Sequence, residues 1–222
     1  MLRSLLDVLR DAAGVFAPRR LPWHVLAVAL TFACVVTGID GWVAQTFRDT
    51  AIRRSAFIAG RVGLWTPIAG PAAMLAFGWI RRDRRLVRGG AFLAEAEVVA
   101  LAVCAAYKAV TGRPGPTQLH DLDDASRVFR FGFLRGGVYW GWPSSHVMVA
   151  VAGAVALSLL YAERRTVTWI ALAYAAAMAV LVSVSFHWFS DVVAGVIVGT
   201  VIGRVVGTRG GPTATPRRGA AR

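Results

Sequence analysis

Across 222 residues the chain has one lysine, two cysteines, four histidines and twelve acidic residues. Charged residues make up 17% of it, where a soluble domain carries about a quarter. That shortage excludes a water-soluble fold. A hydrophobic content of 56% and a mean hydropathy of +0.56 exclude disorder as well, because disordered chains are poor in apolar residues. Cys34 and Cys104 each lie inside an apolar run. They read as small buried hydrophobes and supply neither a disulfide framework nor a metal site. The shortage of acid leaves a net charge of +13. In a soluble protein that excess would suggest nucleic acid. In an apolar chain it marks cytoplasmic loops and anionic headgroups, so the expected partner is the lipid bilayer and not a nucleic acid.

What is abundant is apolar sequence in runs near the 20 or so residues that a bilayer crossing needs. Six runs stand out, near Trp23–Ile39, Val62–Ile80, Gly90–Tyr107, Ser145–Ala162, Thr166–Phe186 and Val192–Val206. The expected fold is therefore all-α, a six-transmembrane-helix bundle. Pro67, Gly70 and Pro71 interrupt the second run, which membrane helices tolerate where neighbours satisfy the freed backbone. Glu95 and Glu97 are expected near the entry interface of the third, with the bundle interior as the alternative. His24 is expected at an interface too, and Asp40 as a cap or facing water, with contact to the site's own side chains as the lesser alternative. Residues 1–22 form an amphipathic cytoplasmic segment, alternating leucines with Arg3, Asp7, Arg10 and Asp11, suited to a helix lying on the membrane. Residues 23–208 form the membrane domain, and residues 209–222 a basic tail expected to be disordered. With the N-terminus inside, 16 of the 25 basic residues face the cytoplasm, the short Arg81–Arg88 loop being the most decisive. Both termini are then cytoplasmic. The loops Thr46–Arg61 and Lys108–Ser144 and the turn at His187 face outward.

Three stretches at those outward helix ends carry chemistry. The first is Lys108-Ala-Val-Thr-Gly-Arg-Pro-Gly-Pro116. A chain that otherwise uses arginine keeps its one lysine here, where a compact ammonium suits a phosphate. Alone it fits a snorkelling interfacial lysine equally well. The second is Gly141-Trp-Pro-Ser-Ser-His146, a helix start with free N–H groups and two hydroxyls, receptive to an anion; an ordinary serine cap has the same form. The third is His187-Trp-Phe-Ser-Asp191. Its i, i+4 spacing puts carboxylate and imidazole on one helical face, so Asp191 can hold one ring nitrogen and leave the other free as nucleophile or base. The spacing of His120 with Asp121, Asp123 and Asp124 fits no metal-site pattern, and a solvated loop is expected there.

Together these residues resemble the type 2 phosphatidic acid phosphatases, integral membrane lipid phosphatases related to the vanadium haloperoxidases. The family's pattern is K-x6-R-P, then P-S-G-H, then S-R-x5-H-x3-D. Pro143-Ser144-Ser145-His146 is similar to the second motif with serine for glycine, and His187 with Asp191 to the end of the third. The resemblance implies a phosphoric ester or pyrophosphate hydrolase acting on a membrane lipid phosphate at the outer face of the cell membrane. It also implies a phosphohistidine intermediate and no metal or other cofactor. His187 would be the nucleophile, Asp191 its orienter and His146 the acid. Lys108, Arg113, Ser144 and Ser145 would bind the substrate.

The chain departs from that pattern at its arginines. The register of the first motif puts Gly115 where arginine belongs, with Arg113 two residues earlier. The Ser-Arg pair of the third motif falls on Val180-Leu181. Arg127, Arg130 and Arg135, in an aromatic-rich loop, are candidates to complete a phosphate clamp; an aromatic interfacial belt is the other reading of that loop. Two further readings of the whole remain: a catalytically impaired lipid-phosphate-binding protein of the same fold, and a small transporter.

Overall fold

Long apolar runs dominate the chain, and helix is what forms. The computed structural model describes residues 5–116, 125–139 and 141–210. Its helices are α1 (Leu5–Val15), α2 (Leu21–Val36), α3 (Ile39–Phe47), α4 (Ala51–Gly63), α5 (Thr66–Ile80), α6 (Arg84–Thr111), α7 (Ser145–Leu160), α8 (Arg165–Ser183) and α9 (Phe189–Gly210). Among the described residues there is no strand. Pro22 and Pro67 stand in the first turns of α2 and α5, where a missing N–H costs nothing. Asp83 caps α6 by accepting from the N–H groups of Arg85 and Leu86, and Gly112 ends it in the left-handed region at φ 49°.

This is a membrane protein built on apolar helices. Among the described residues four stretches are long and apolar enough to cross a bilayer: Pro18–Val36, Arg84–Thr111, Arg165–Ser183 and Phe189–Gly210. Ala51–Arg61 and Thr66–Ile80, bent by 41°, make a fifth if taken together. The fourth expected span is α7, a 16-residue helix. At 1.5 Å per residue it is shorter than a typical crossing. Helices differ in their surroundings. The apolar windows of α6 and α9 are 61% and 67% buried, whereas those around α2 and α8 are only 22% and 17% buried. The outer helices turn Trp23, Phe32, Trp169 and Ile170 outward, a surface that suits lipid and not water.

Close packing of α7 on α9 sets the geometry of one end of the bundle. Gly195, Gly199, Gly203 and Gly207 recur every four residues along one face of α9. A β-carbon at the first three would lie 3.0, 2.7 and 2.6 Å from the carbonyl oxygens of Ser144, Met148 and Ala152. Only hydrogen fits between the two backbones, which is the small-residue packing of membrane helices. The N-terminus of α9 is thereby held against the N-terminus of α7.

Several expectations change. The segment Thr46–Arg61, expected as a loop, contains the end of α3 and most of α4. The amphipathic α1 forms, exposing Leu5, Leu6 and Leu9, but it also packs into the bundle through Val15. Its Asp11 pairs with Arg209, and Arg20 donates to the Gly14 carbonyl at 2.5 Å. His24 is buried, bonded to the Val15 carbonyl at 3.0 Å and the Tyr107 hydroxyl at 2.7 Å. Glu95 and Glu97 are buried as well, because α6 begins at Arg84 and carries them about three turns inside it. Cys34 and Cys104 are free and buried, as expected. The acidic stretch at His120–Asp124 and the residues after Gly210 lie outside the described residues.

Candidate active site

The three stretches meet at the joined ends of α6, α7 and α9. Leaving α6, Gly112 approaches the 125–139 loop so closely that a β-carbon on Gly136 would lie 2.3 Å from its Cα. The Thr111 hydroxyl donates to the Trp142 carbonyl at 3.0 Å, which ties the first stretch to the second. Trp188 donates its indole N–H to the Pro114 carbonyl at 2.8 Å, which ties the first to the third. The Ser144 N–H donates to the Asp191 carbonyl at 3.1 Å, closing the triangle. Trp142–Pro143 is a cis peptide.

Within this frame His187 and Asp191 are paired. Nδ1 of His187 lies 3.1 Å from Oδ2 of Asp191. The carboxylate can only accept, so Nδ1 carries the proton and Nε2 keeps its lone pair. His146 stands at the start of α7 with its ring centroid 6.0 Å from that of His187, stacked on Phe186 at 5.2 Å. Neither nitrogen of His146 has a protein partner, nor does the buried hydroxyl of Ser144. Ser144 is the N-cap residue of α7 yet makes no side-chain cap, so that hydroxyl and the first N–H groups of the helix are available to an anion. Lys108 is buried and donates to the Tyr139 carbonyl at 2.9 Å and the Ser145 hydroxyl at 3.4 Å. An ammonium has three donors, which leaves one. Lys108, Ser144, Ser145, His146, His187 and Asp191 are thus brought together.

Arg113 is placed differently from the expectation. Its side chain is 0% exposed and all of its bonds go to protein. Nε and Nη2 donate to the Ser126 carbonyl at 3.1 and 2.5 Å. Nη2 also donates to Oδ2 of Asp40 at 2.7 Å. Nη1 donates to the Ser190 hydroxyl at 2.8 Å and to Oδ1 of Asp191 at 2.5 Å. A guanidinium has five N–H donors, and five bonds engage them. Arg113 therefore holds Asp191 and has no donor left for a substrate oxygen. Its planar fork suits two carboxylates and a carbonyl, which explains why this position takes arginine. Arg127, Arg130 and Arg135 are exposed, so none joins the buried cluster, where Lys108 and Arg113 are the buried cations among the described residues.

Asp40 was legible in this site only as a lesser alternative to a cap or a solvent-facing residue, and Ser190 not at all. Asp40 is fully buried and accepts from the Ser190 N–H at 2.8 Å and its hydroxyl at 2.6 Å, besides pairing with Arg113. The one signal was a lone carboxylate closing an otherwise uncharged span. Among the described residues no three His, Cys, Asp or Glu side chains gather as a metal-ligand set.

Burial pushes the His187 imidazole below its ordinary titration range, and Asp191 raises it only partly. Lys108 and Arg113 lower it further. A free histidine titrates near 6.5, so His187 stays neutral to lower pH than that. Its C2-proton NMR resonance is expected to shift with a midpoint below about 6.5. A midpoint above it contradicts this electrostatic picture.

A model of the PAP2 superfamily matches residues 89–209, from within α6 to the end of α9, and takes in all three stretches. No curated protein and no solved structure matches the chain.

Proposed function

The chain belongs to the PAP2 superfamily, and from that premise we propose that it is a membrane lipid phosphatase working through a phosphohistidine at His187. The observation that carries this reading is the pairing of two features where the ends of α6, α7 and α9 meet. A histidine oriented by a carboxylate faces a buried, partnerless hydroxyl and imidazole at a helix N-terminus. The first supplies a nucleophile and the second receives an anion.

Each group then has a step. Lys108, Ser144, Ser145 and the first N–H groups of α7 bind the phosphoryl oxygens, where stabilising charge is the main catalytic task. Nε2 of His187 attacks phosphorus in line, a P–N bond forms, and the P–O bond to the leaving group breaks. His146 gives its proton to the departing oxygen. Asp191 holds Nδ1–H and stabilises the positive charge on the ring. Water, deprotonated by His146, next attacks phosphorus. The P–N bond breaks, inorganic phosphate leaves, and both histidines return to their starting forms. No step uses a metal. Lipid tails stay among the exposed apolar side chains of the outer helices, which accounts for a phosphatase built into a membrane.

The same reading has α7 and the bent α4–α5 pair complete six spans, with both termini cytoplasmic and the site facing outward. The cluster of arginines at residues 81–88, spanning the turn before α6 and its first turns, supports that orientation. One observation favours a second reading, a catalytically impaired lipid-phosphate binder: Arg113 is wholly engaged by protein, which leaves Lys108 as the buried cation free to meet phosphate. Phosphate release decides between the two. Purified protein in detergent, given phosphatidic acid, phosphatidylglycerol phosphate and a polyprenyl pyrophosphate, releases inorganic phosphate from at least one of them. Binding without release from any favours the second reading.

A further inference from the structure

Asp191 is asked to stabilise positive charge on His187 while an arginine is bonded to it. An isolated Arg113–Asp191 pair is electrically neutral, and its field at the imidazole is that of a small dipole. Here the pair is not isolated. Oδ2 of Asp40 lies 2.7 Å from Nη2 of the same guanidinium, and the side chains of Arg113 and Asp40 are 0% exposed. Oδ1 of Asp191 lies 2.5 Å from Nη1. One buried cation is therefore shared by two carboxylates, and the trio carries a net charge of minus one. Ser190 braces the arrangement. Its hydroxyl accepts from Arg113 and donates to Asp40, and its N–H donates to the other oxygen of Asp40.

We propose that Asp40, on α3 and outside the region matched by the family model, is a positioning residue for the reaction: it neutralises Arg113, so that the charge of Asp191 is left to act on His187. This rests on the phosphohistidine reading above. The groups that face His187 are Asp191 from α9, Lys108 from α6, Arg113 from the segment after α6 and His146 from α7. Lys108 and Arg113 oppose a positive ring and Asp191 favours it. Asp40 reaches the ring only through Arg113. Removing its charge tips that balance against the positively charged imidazole without touching any group that contacts substrate.

The test is Asp40→Asn, which keeps the shape and loses the charge. The expected kcat falls at least about tenfold with KM within about twofold, the signature of an interaction made in the transition state. The His187 NMR midpoint moves to lower pH, because a negative charge near the ring has gone. Asp40→Glu, which restores the charge, recovers part of kcat. A merely structural role would lower the folded yield and leave both the pH midpoint and the kcat of the folded fraction unchanged. Ser190→Ala keeps all three charges, so it is expected to leave the His187 midpoint in place; this separates loss of charge from loss of bracing. A folded Asp40→Asn protein with the unaltered midpoint and kcat overturns the proposal. If the unaltered chain releases no phosphate, the functional reading fails, while the midpoint shift still decides the electrostatic role of Asp40.

Discussion

His187→Ala is expected to lower phosphate release by at least about a thousandfold, the scale seen when a covalent nucleophile is removed from a preformed site. Asp191 fixes Nδ1, so Nε2 is the one nucleophilic nitrogen held in place, and no second carboxylate orients His146, whose ring nitrogens have no protein partner. His146 therefore cannot substitute for the missing imidazole. Fold is expected to survive, because alanine removes a ring that makes one side-chain hydrogen bond and leaves Asp191 on Arg113. Substrate affinity is expected to change far less than turnover, since the groups proposed to bind phosphate lie at the end of α6 and the start of α7. Steady-state phosphate release, with gel filtration to establish folding, checks both parts.

The second large effect is on stability. Arg113→Met is expected to cost about 3–5 kcal/mol, the range for breaking a buried ion pair by removing one partner. Methionine approximates the length of the stem, so little cavity is left. The cost comes from Asp40 and Asp191, two buried carboxylates that lose their shared cation, and from the Ser126 carbonyl that loses both its donors. Thermal unfolding of the detergent-solubilised protein should show a large fall in midpoint, or no folded protein at all. Adding Asp40→Asn to Arg113→Met should recover part of the loss, because one orphaned charge is removed; neighbours in a single network do not behave additively. A single variant with an unaltered midpoint contradicts the network.

How far the sequence could be read depended on the kind of information each feature needs. Convergence of the three stretches was legible because span parity places alternate helix ends at the same face. The stretches at Lys108, Ser144 and His187 do meet there. The His187–Asp191 pair was legible because helical spacing alone creates it. Arg113 could be located but not oriented. Spacing says that a guanidinium is near a site; it does not say whether it faces substrate or scaffold, and its partner Asp40 is 73 residues away in the chain. For Glu95 and Glu97 the burial favours the bundle-interior alternative, because the helix starts at its Asp83 cap, well before the Gly90 from which the apolar run was counted. Between the end of α3 and the end of α4, Arg48, Arg53, Arg54 and Arg61 made the segment look like loop. Its Phe57 nonetheless stacks on Phe186 at 4.4 Å, the same ring that stacks on His146.

The central claim is that phosphate passes through His187. Rapid acid-free quenching of the purified protein during turnover of a lipid labelled in its phosphate tests this most directly. The expected result is a base-stable, acid-labile label on the peptide containing His187, absent from His187→Ala. Label on any other side chain, or undiminished phosphate release by His187→Ala, would contradict it.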